Sequence, residues 1–151
     1  MAITYIGSTL SVAQSAPGNF DQDVIDDYAD LDWVEVGNVI SIGELGDTSE
    51  DVTFDLLKGG RRTHVNGIRD VGDIPVAVEF NHESAGQGII YRSVSEADNA
   101  NDTHYWRIVD DDGEIVYFAG LPANYSDTER TASSYKGAEF QIRTQTALFR
   151  P

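Results

Sequence analysis

Three histidines, two groups of aspartates and one cluster of cations are the residues in this chain whose types could do chemistry. His64, His82 and His104 are the candidates for acid–base catalysis or metal ligation, yet none stands in a productive pattern. The chain has no His-Glu-x-x-His pair, no Gly-x-Ser-x-Gly elbow, no P-loop and no Gly-x-Gly-x-x-Gly turn after a strand. The histidines therefore read as loop or strand-end residues. The aspartates invite calcium, a hard cation that takes carboxylate oxygens. Asp110-Asp111-Asp112-Gly113-Glu114 lacks the alternate spacing of an EF-hand loop, and neighbouring residues in a hairpin point to opposite faces, so a turn with solvated carboxylates is expected there. Asp21, Asp23, Asp26, Asp27 and Asp30 form a looser group, able at most to bind calcium incidentally. Asn101-Asp102-Thr103 and Asn124-Tyr125-Ser126 fit the N-glycosylation pattern but are discounted, since three residues match by chance and nothing indicates secretion. No catalytic residue, structural metal or cofactor is expected, and nothing supports an enzyme.

The cations are more informative. Lys58, Arg61, Arg62 and Arg69, with His64 among them, fall in one short segment of a chain whose formal net charge is −16. No Lys or Arg precedes Lys58, whereas Asp and Glu recur throughout that stretch. Such a charge repels phosphate, and no aromatic side chains are interleaved with the cations, which argues against nucleic-acid binding. Two readings stay open: a solvated basic loop, or a projection that docks on an acidic surface of another copy. The second contact would be heterologous, and repeated along an axis it builds an open filament. Complementary charge would set its register and on-rate more than its affinity.

The elements that must position these residues are mostly strands. At 151 residues the chain is the size of a single domain with one core, read here as 1–151, and with no cysteine it must hold together by packing and hydrogen bonds. Neither a signal peptide nor the ~20 apolar residues of a membrane span is visible. Val52, Phe54 and Leu56 alternate with Asp51, Thr53 and Asp55, and Ile74, Val76, Val78 and Phe80 with Pro75, Ala77 and Glu79, which predicts two half-buried strands. Asp112-Gly113 between Tyr105–Val109 and Ile115–Ala119 predicts a hairpin. Leu10 and Val12 suggest a short first strand, and Trp33–Val36 and Val39–Ile42 a strand broken at Gly37-Asn38. A long final strand is expected from Ala138 through Leu148. Ser84-Ala85-Gly86-Gln87 matches a capping box and opens one helix to about Ser95, with Ala85, Ile89, Val94 and Ala97 at near-helical spacing. Ala13 to Asp30, Leu57 to Asp70 and Ala123 to Ser134 read as loops. The middle one joins two strands by more than the two to five residues of an ordinary hairpin, and long connections of that kind are usually functional or mobile. The predicted class is mainly β: a β-sandwich or barrel of antiparallel strands, one flanking helix and a long inter-strand loop.

The order of these elements resembles that of the major tail tube proteins of long-tailed, siphophage-type bacteriophages. The segments that carry the resemblance are Trp33-Val34-Glu35-Val36, then Ile42-Gly43-Glu44-Leu45-Gly46 leading into Thr48–Leu56, then the long loop. Ala85-Gly86-Gln87-Gly88 and Asp112-Gly113-Glu114-Ile115-Val116-Tyr117-Phe118-Ala119-Gly120 follow. The resemblance implies a hexameric ring whose inner strands form a continuous barrel, with rings stacked into a tube. It also implies that the loop holding Lys58, Arg61, Arg62, His64 and Arg69 reaches the next ring. Implied partners are a tape-measure protein, terminator and baseplate proteins, and DNA that passes through without specific binding; no membrane is involved. The implied location is the virion tail, after assembly in the host cytoplasm. Asp51, Asp55 and Glu79 are the candidate acidic residues of the lumen. The alternative is a monomeric β-sandwich binding module that could use calcium at the aspartate loop.

Overall fold

The structure, a computed structural model, describes residues 6–14, 20–21, 24–29, 31–81, 83–95 and 103–150. Among them the chain runs β1 (Thr9–Ala13), α1 (Ile25–Tyr28), β2 (Val34–Val36), β3 (Val39–Ile42), β4 (Thr48–Asp55), β5 (Arg62–Asp70), β6 (Asp73–Glu79), α2 (Ala85–Ser95), β7 (His104–Val109), β8 (Ile115–Asp127) and β9 (Gly137–Thr144). Seven strands form one antiparallel sheet in the order β2-β1-β7-β8-β9-β6-β3, and β4 and β5 pair separately as a hairpin.

The sheet's two edge strands are consecutive in sequence. β2 and β3 are separated only by Gly37 and Asn38, so the edges cannot be more than about 11 Å apart where the chain crosses between them. The sheet must therefore curl, bringing opposite strands face to face across one core without closing into a hydrogen-bonded barrel. Asn38 makes the crossing at φ 56, a left-handed conformation that Asn tolerates better than most residues.

Alternation decides what fills the inside. Leu10, Val12, Val36, Ile74, Val76, Val78, Trp106, Ile108, Val116, Phe118, Phe140 and Ile142 all point inward and are buried together with Ile89 and Ile90 of α2. Trp106 is fully buried, stacks near Phe118 and Phe140, and donates its indole N–H to the carbonyl of Gly120 at 3.2 Å. On the opposite face of β1, β7 and β8, a smaller aromatic cluster gathers Tyr28, Leu31 and Tyr117 with Phe20, Trp33, Tyr105 and Phe149 around it. The single turn of α1 seats Tyr28, which is fully buried and makes ring contacts with Tyr105, Tyr117 and Phe149.

α2 seals the place where the two edges meet. The Ser84 Oγ accepts the Gln87 N–H at 3.4 Å, as a capping residue does, and also the Gly37 N–H at 3.0 Å. Gln87 does not reach back to Ser84 as a capping box would. Its amide donates to the carbonyls of Gly37 at 2.6 Å and Glu79 at 2.9 Å and accepts from the Asn81 N–H at 3.1 Å. One buried amide thus ties the β2–β3 crossing to the end of β6. Gly86 permits this approach: a Cβ there would lie 2.5 Å from the carbonyl oxygen of Glu35.

Four expectations need correction. The Leu57–Asp70 connection is not a loop, because β5 occupies Arg62–Asp70 and pairs with β4 from Asp55↔Arg62 to Thr48↔Asp70. β4 is exposed along its whole length instead of half-buried, since no second layer covers it. The Ala123–Ser134 segment is strand as far as Asp127, where β8 rejoins β9 after an irregularity between Ala123 and Ser126. β9 stops at Thr144, and β8 is longer. Beyond it the chain still runs along β8, with Gln145 donating to the Ala119 carbonyl and Phe149 paired to Tyr117, and the predicted alternation persists there, Thr146 being buried and Leu148 packed on the main core. Ala97 and His82 lie outside the described residues. Alongside the expected helix at Ala85–Ser95, the single turn α1 lies inside the expected Ala13–Asp30 loop.

Candidate assembly surface

The feature that the core does not explain is the β4–β5 hairpin. Register Val52↔Val65 and Phe54↔Thr63 puts apolar side chains on one face, while Asp51↔Asn66, Thr53↔His64 and Asp55↔Arg62 make the other face polar. The apolar face is uncovered: Val52, Phe54, Leu56 and Val65 are each 46 to 48% exposed. Leu57 at the tip and Ile68 near the base are more exposed still. Soluble monomers rarely display so many contiguous large apolar side chains, and such patches mark interfaces. A hairpin of two strands also leaves both its backbone edges open, which makes each edge a template for a further strand.

The tip is built for a sharp reversal. Gly59 and Gly60 take φ 103 and φ 58, both in the left-handed region that favours glycine, and the Leu56 N–H donates to the Arg61 carbonyl at 3.2 Å to close the end. Lys58 and Arg61 flank these glycines. Neither forms an ion pair among the described residues. Arg62, by contrast, is held by Asp55 at 3.1 Å, and His64 Nδ1 lies 3.1 Å from Asp51. Both pairs are more than half exposed, so each is worth little to stability, roughly 0–1 kcal/mol.

The residues singled out from sequence are therefore only partly brought together. Lys58, Arg61, Arg62, His64 and Arg69 do share one projecting element. Asp51 and Asp55, the lumen candidates, belong to the same hairpin and lie beside His64 and Arg62. Glu79 sits instead at the end of β6, where its N–H donates to the Asn38 carbonyl and its carbonyl accepts from Gln87. The alternation of Val52, Phe54 and Leu56 was visible in the sequence, and so was Gly59-Gly60, a two-residue turn signal between alternating runs. What no local pattern announces is that the apolar face stays about half exposed.

A second surface lies at the free edge of β3. A groove of about 860 Å³ runs along β3 and the Gly43, Glu44 and Leu45 that follow it, with Ile108, Val116 and the β7–β8 turn forming its other wall. That turn is acidic. Oxygens of Asp110, Asp112 and Glu114 lie within 4.8 Å of one another, because the turn curls at Gly113, φ 91, and brings alternate residues to one side. Asp110 also accepts the Ser8 hydroxyl at 2.8 Å, and Glu114 donates its N–H to Asp112 at 3.1 Å. Elsewhere, His104 is buried beside Trp106 with its Nε2 3.0 Å from the Ser93 hydroxyl, a packed position in the interior.

No protein-family model and no curated protein matches the sequence. Solved structures do. The sheath/tube terminator structure of the PVC extracellular contractile injection system, in its extended state, contains a chain that matches with a TM-score of 0.66 at 9% identity, over 100% of this chain and 97% of that one. The sheath–tube complex of the same system matches with a TM-score of 0.61 at 10% identity, over 95% and 87% of the two chains. The tail of an empty gene transfer agent particle, refined with C6 symmetry, matches with a TM-score of 0.58 at 14% identity, over 79% and 86%. The fold is thus one found in tail and injection-tube assemblies, as the resemblance to tail tube proteins implied. These likenesses run to contractile systems as well as to a gene transfer agent, and do not carry the narrowing to siphophages.

Proposed function

We propose that this chain is a structural, non-catalytic subunit of a tail tube that assembles with copies of itself into stacked hexameric rings, the β4–β5 hairpin serving as the arm between copies. The observation that carries this reading is the uncovered apolar face of Val52, Phe54, Leu56 and Val65 on an element that adds nothing to the core. The fold likeness supports it, and so does the sixfold symmetry named for the gene transfer agent tail and for an anti-feeding prophage baseplate that also matches. Six copies, each carrying −16, would line a channel with negative potential that repels phosphate, so that DNA could slide without adhering. Asp51, Asp55 and Glu79 remain the acidic residues proposed for that channel, and Lys58, Arg61, Arg62, His64 and Arg69 those proposed for contact between rings. A tape-measure protein within the tube, terminator and baseplate proteins at its ends, and residence in the virion tail belong to the same proposal.

Replacing Phe54 with Asp tests it. Phe54 is half exposed in the single chain, so the melting temperature of the monomer should move by no more than about 2 °C, as for other surface substitutions. Self-association, followed by sedimentation and negative-stain microscopy, should be lost. Filaments from Phe54→Asp indistinguishable from the parent's would remove the hairpin from the interface.

A further inference from the structure

Resting on that assembly reading, we infer that the groove beside β3 is the receptor for the β4–β5 hairpin of a second copy, which adds its edge to β3 and sets its basic tip against the β7–β8 turn. Four observations converge on this pairing. β3 ends the seven-stranded sheet, so one of its backbone edges has no strand partner among the described residues. The opposite end of the sheet, β2, is instead covered by α2, with Gly86 against Glu35 and Gln87 against Gly37. Among the described residues the sheet therefore offers one open edge, and the hairpin is a two-stranded ribbon whose edges are both open.

Side-chain character matches as well. The groove wall contributes the partly buried Val39, Ile42 and Leu45, with the core residues Ile108 and Val116 behind them, and the hairpin brings Val52, Phe54 and Val65 on its half-exposed face. Charge then fixes direction. The groove is rimmed by Asp110, Glu114 and Glu44, with Asp112 close by, and Arg150 is the single cation lining it. Carboxylates crowded within 4.8 Å of one another repel, and a cation arriving between them relieves that repulsion. Lys58 and Arg61, at the tip and without ion-pair partners among the described residues, are the cations available; Arg62 is already held by Asp55.

Connectivity makes the contact propagate. β3 leads through Gly43–Asp47 directly into β4, so the receptor groove sits at the root of the same chain's own hairpin. The eight residues of β4 span about 27 Å, so a docked tip and the next free tip are separated by roughly that length. Each copy thus receives one arm and extends another, a heterologous contact that continues instead of closing on itself.

Charge exchange tests the pairing. Lys58→Glu with Arg61→Glu, and separately Asp112→Lys with Glu114→Lys, should each raise the concentration needed for assembly by about tenfold or more. A single chain carrying all four substitutions, in which a Glu-tipped hairpin meets a Lys-bearing turn, should restore assembly to within about threefold of the parent. Because the chain has no cysteine, a second measurement is independent of polymer yield. Lys58→Cys and Asp112→Cys proteins, mixed under mild oxidation, should form a disulfide-linked heterodimer, while Asn124→Cys paired with Lys58→Cys should not. If the hairpin reversal blocks assembly but the turn reversal does not, and no Lys58→Cys to Asp112→Cys link forms, the receptor lies elsewhere and this inference fails while the assembly reading stands. If neither reversal alters assembly, this inference fails and the assembly reading stands on the Phe54→Asp test; a parent protein that never assembles removes the assembly reading itself.

Discussion

Replacing Gln87 with Leu should destabilise the fold far more than one exposed-helix position would suggest. Gln87 is 6% exposed and makes three hydrogen bonds: to the carbonyls of Gly37 and Glu79 and from the Asn81 N–H. Leu keeps the volume and removes all three. Each lost bond costs about 1 kcal/mol net, and partners left buried without water cost more, so a loss of about 3 kcal/mol is expected. For a domain near 150 residues, 1 kcal/mol corresponds to roughly 2–4 °C, which puts the melting temperature about 6–12 °C below the parent's. Urea unfolding followed by tryptophan fluorescence measures the same quantity, because Trp106 sits inside the curled sheet. Gln87→Glu sharpens the test. A carboxylate can still accept from Asn81 but faces two carbonyl oxygens, so that variant should be weaker at pH 7 than at pH 4, where protonation restores a donor. A Gln87→Leu protein melting within 2 °C of the parent would show that the sheet keeps its curl without this tie.

Three further outcomes follow from the geometry. Trp106→Ala should cost about 3–5 kcal/mol, since the indole is fully buried among Phe118 and Phe140; circular-dichroism melts would register it, and a loss under 1 kcal/mol would mean that the core does not depend on it. Burial, then the charge of Asp127 and the neighbouring Tyr91, pushes the Tyr125 phenol above its ordinary value of 10.0. The folded state then holds this proton to higher pH than the unfolded state does, so stability should be intact below pH 10 and fall as pH rises through the folded value; phenolate absorbance that titrates no later than a free tyrosine's would contradict this. EDTA should leave the melting temperature unchanged to within about 1 °C. The Asp110, Asp112 and Glu114 cluster offers three carboxylates where calcium takes six to eight oxygens, and Asp110 already accepts from Ser8; a clear drop would favour a calcium-dependent binding module instead.

Much of the sheet was legible because period-two alternation directly encodes which face is buried. Ile74, Val76 and Val78, Ala138, Phe140 and Ile142, and the Asp112-Gly113 hairpin all behave as their spacing predicts. Ser84 and Gln87 marked the helix start, although the glutamine spends its hydrogen bonds on the sheet seam. The β4–β5 hairpin was misread for a physical reason. Alternation reports that one face is apolar, not what covers it, and Val52 and Phe54 carry the same pattern whether their partner is the chain's own core or another molecule. The Leu57–Asp70 stretch reads as a loop because it lies between two clearly alternating runs, and that reading leaves out the turn signal of Gly59-Gly60. The close approach of the Asp110, Asp112 and Glu114 oxygens depends on backbone dihedrals at a turn, which residue spacing does not specify. The curl of the sheet, with β2 and β3 at its two ends, is a long-range property that no window of sequence contains.

The purified protein, concentrated and viewed by negative-stain or cryo-electron microscopy, tests most directly whether these copies join through their hairpins. Hollow filaments whose averaged cross-section has sixfold symmetry, with the β4–β5 arms bridging adjacent rings, are the expected result. Particles that stay single at every concentration, or filaments in which that hairpin points into solvent, would contradict it.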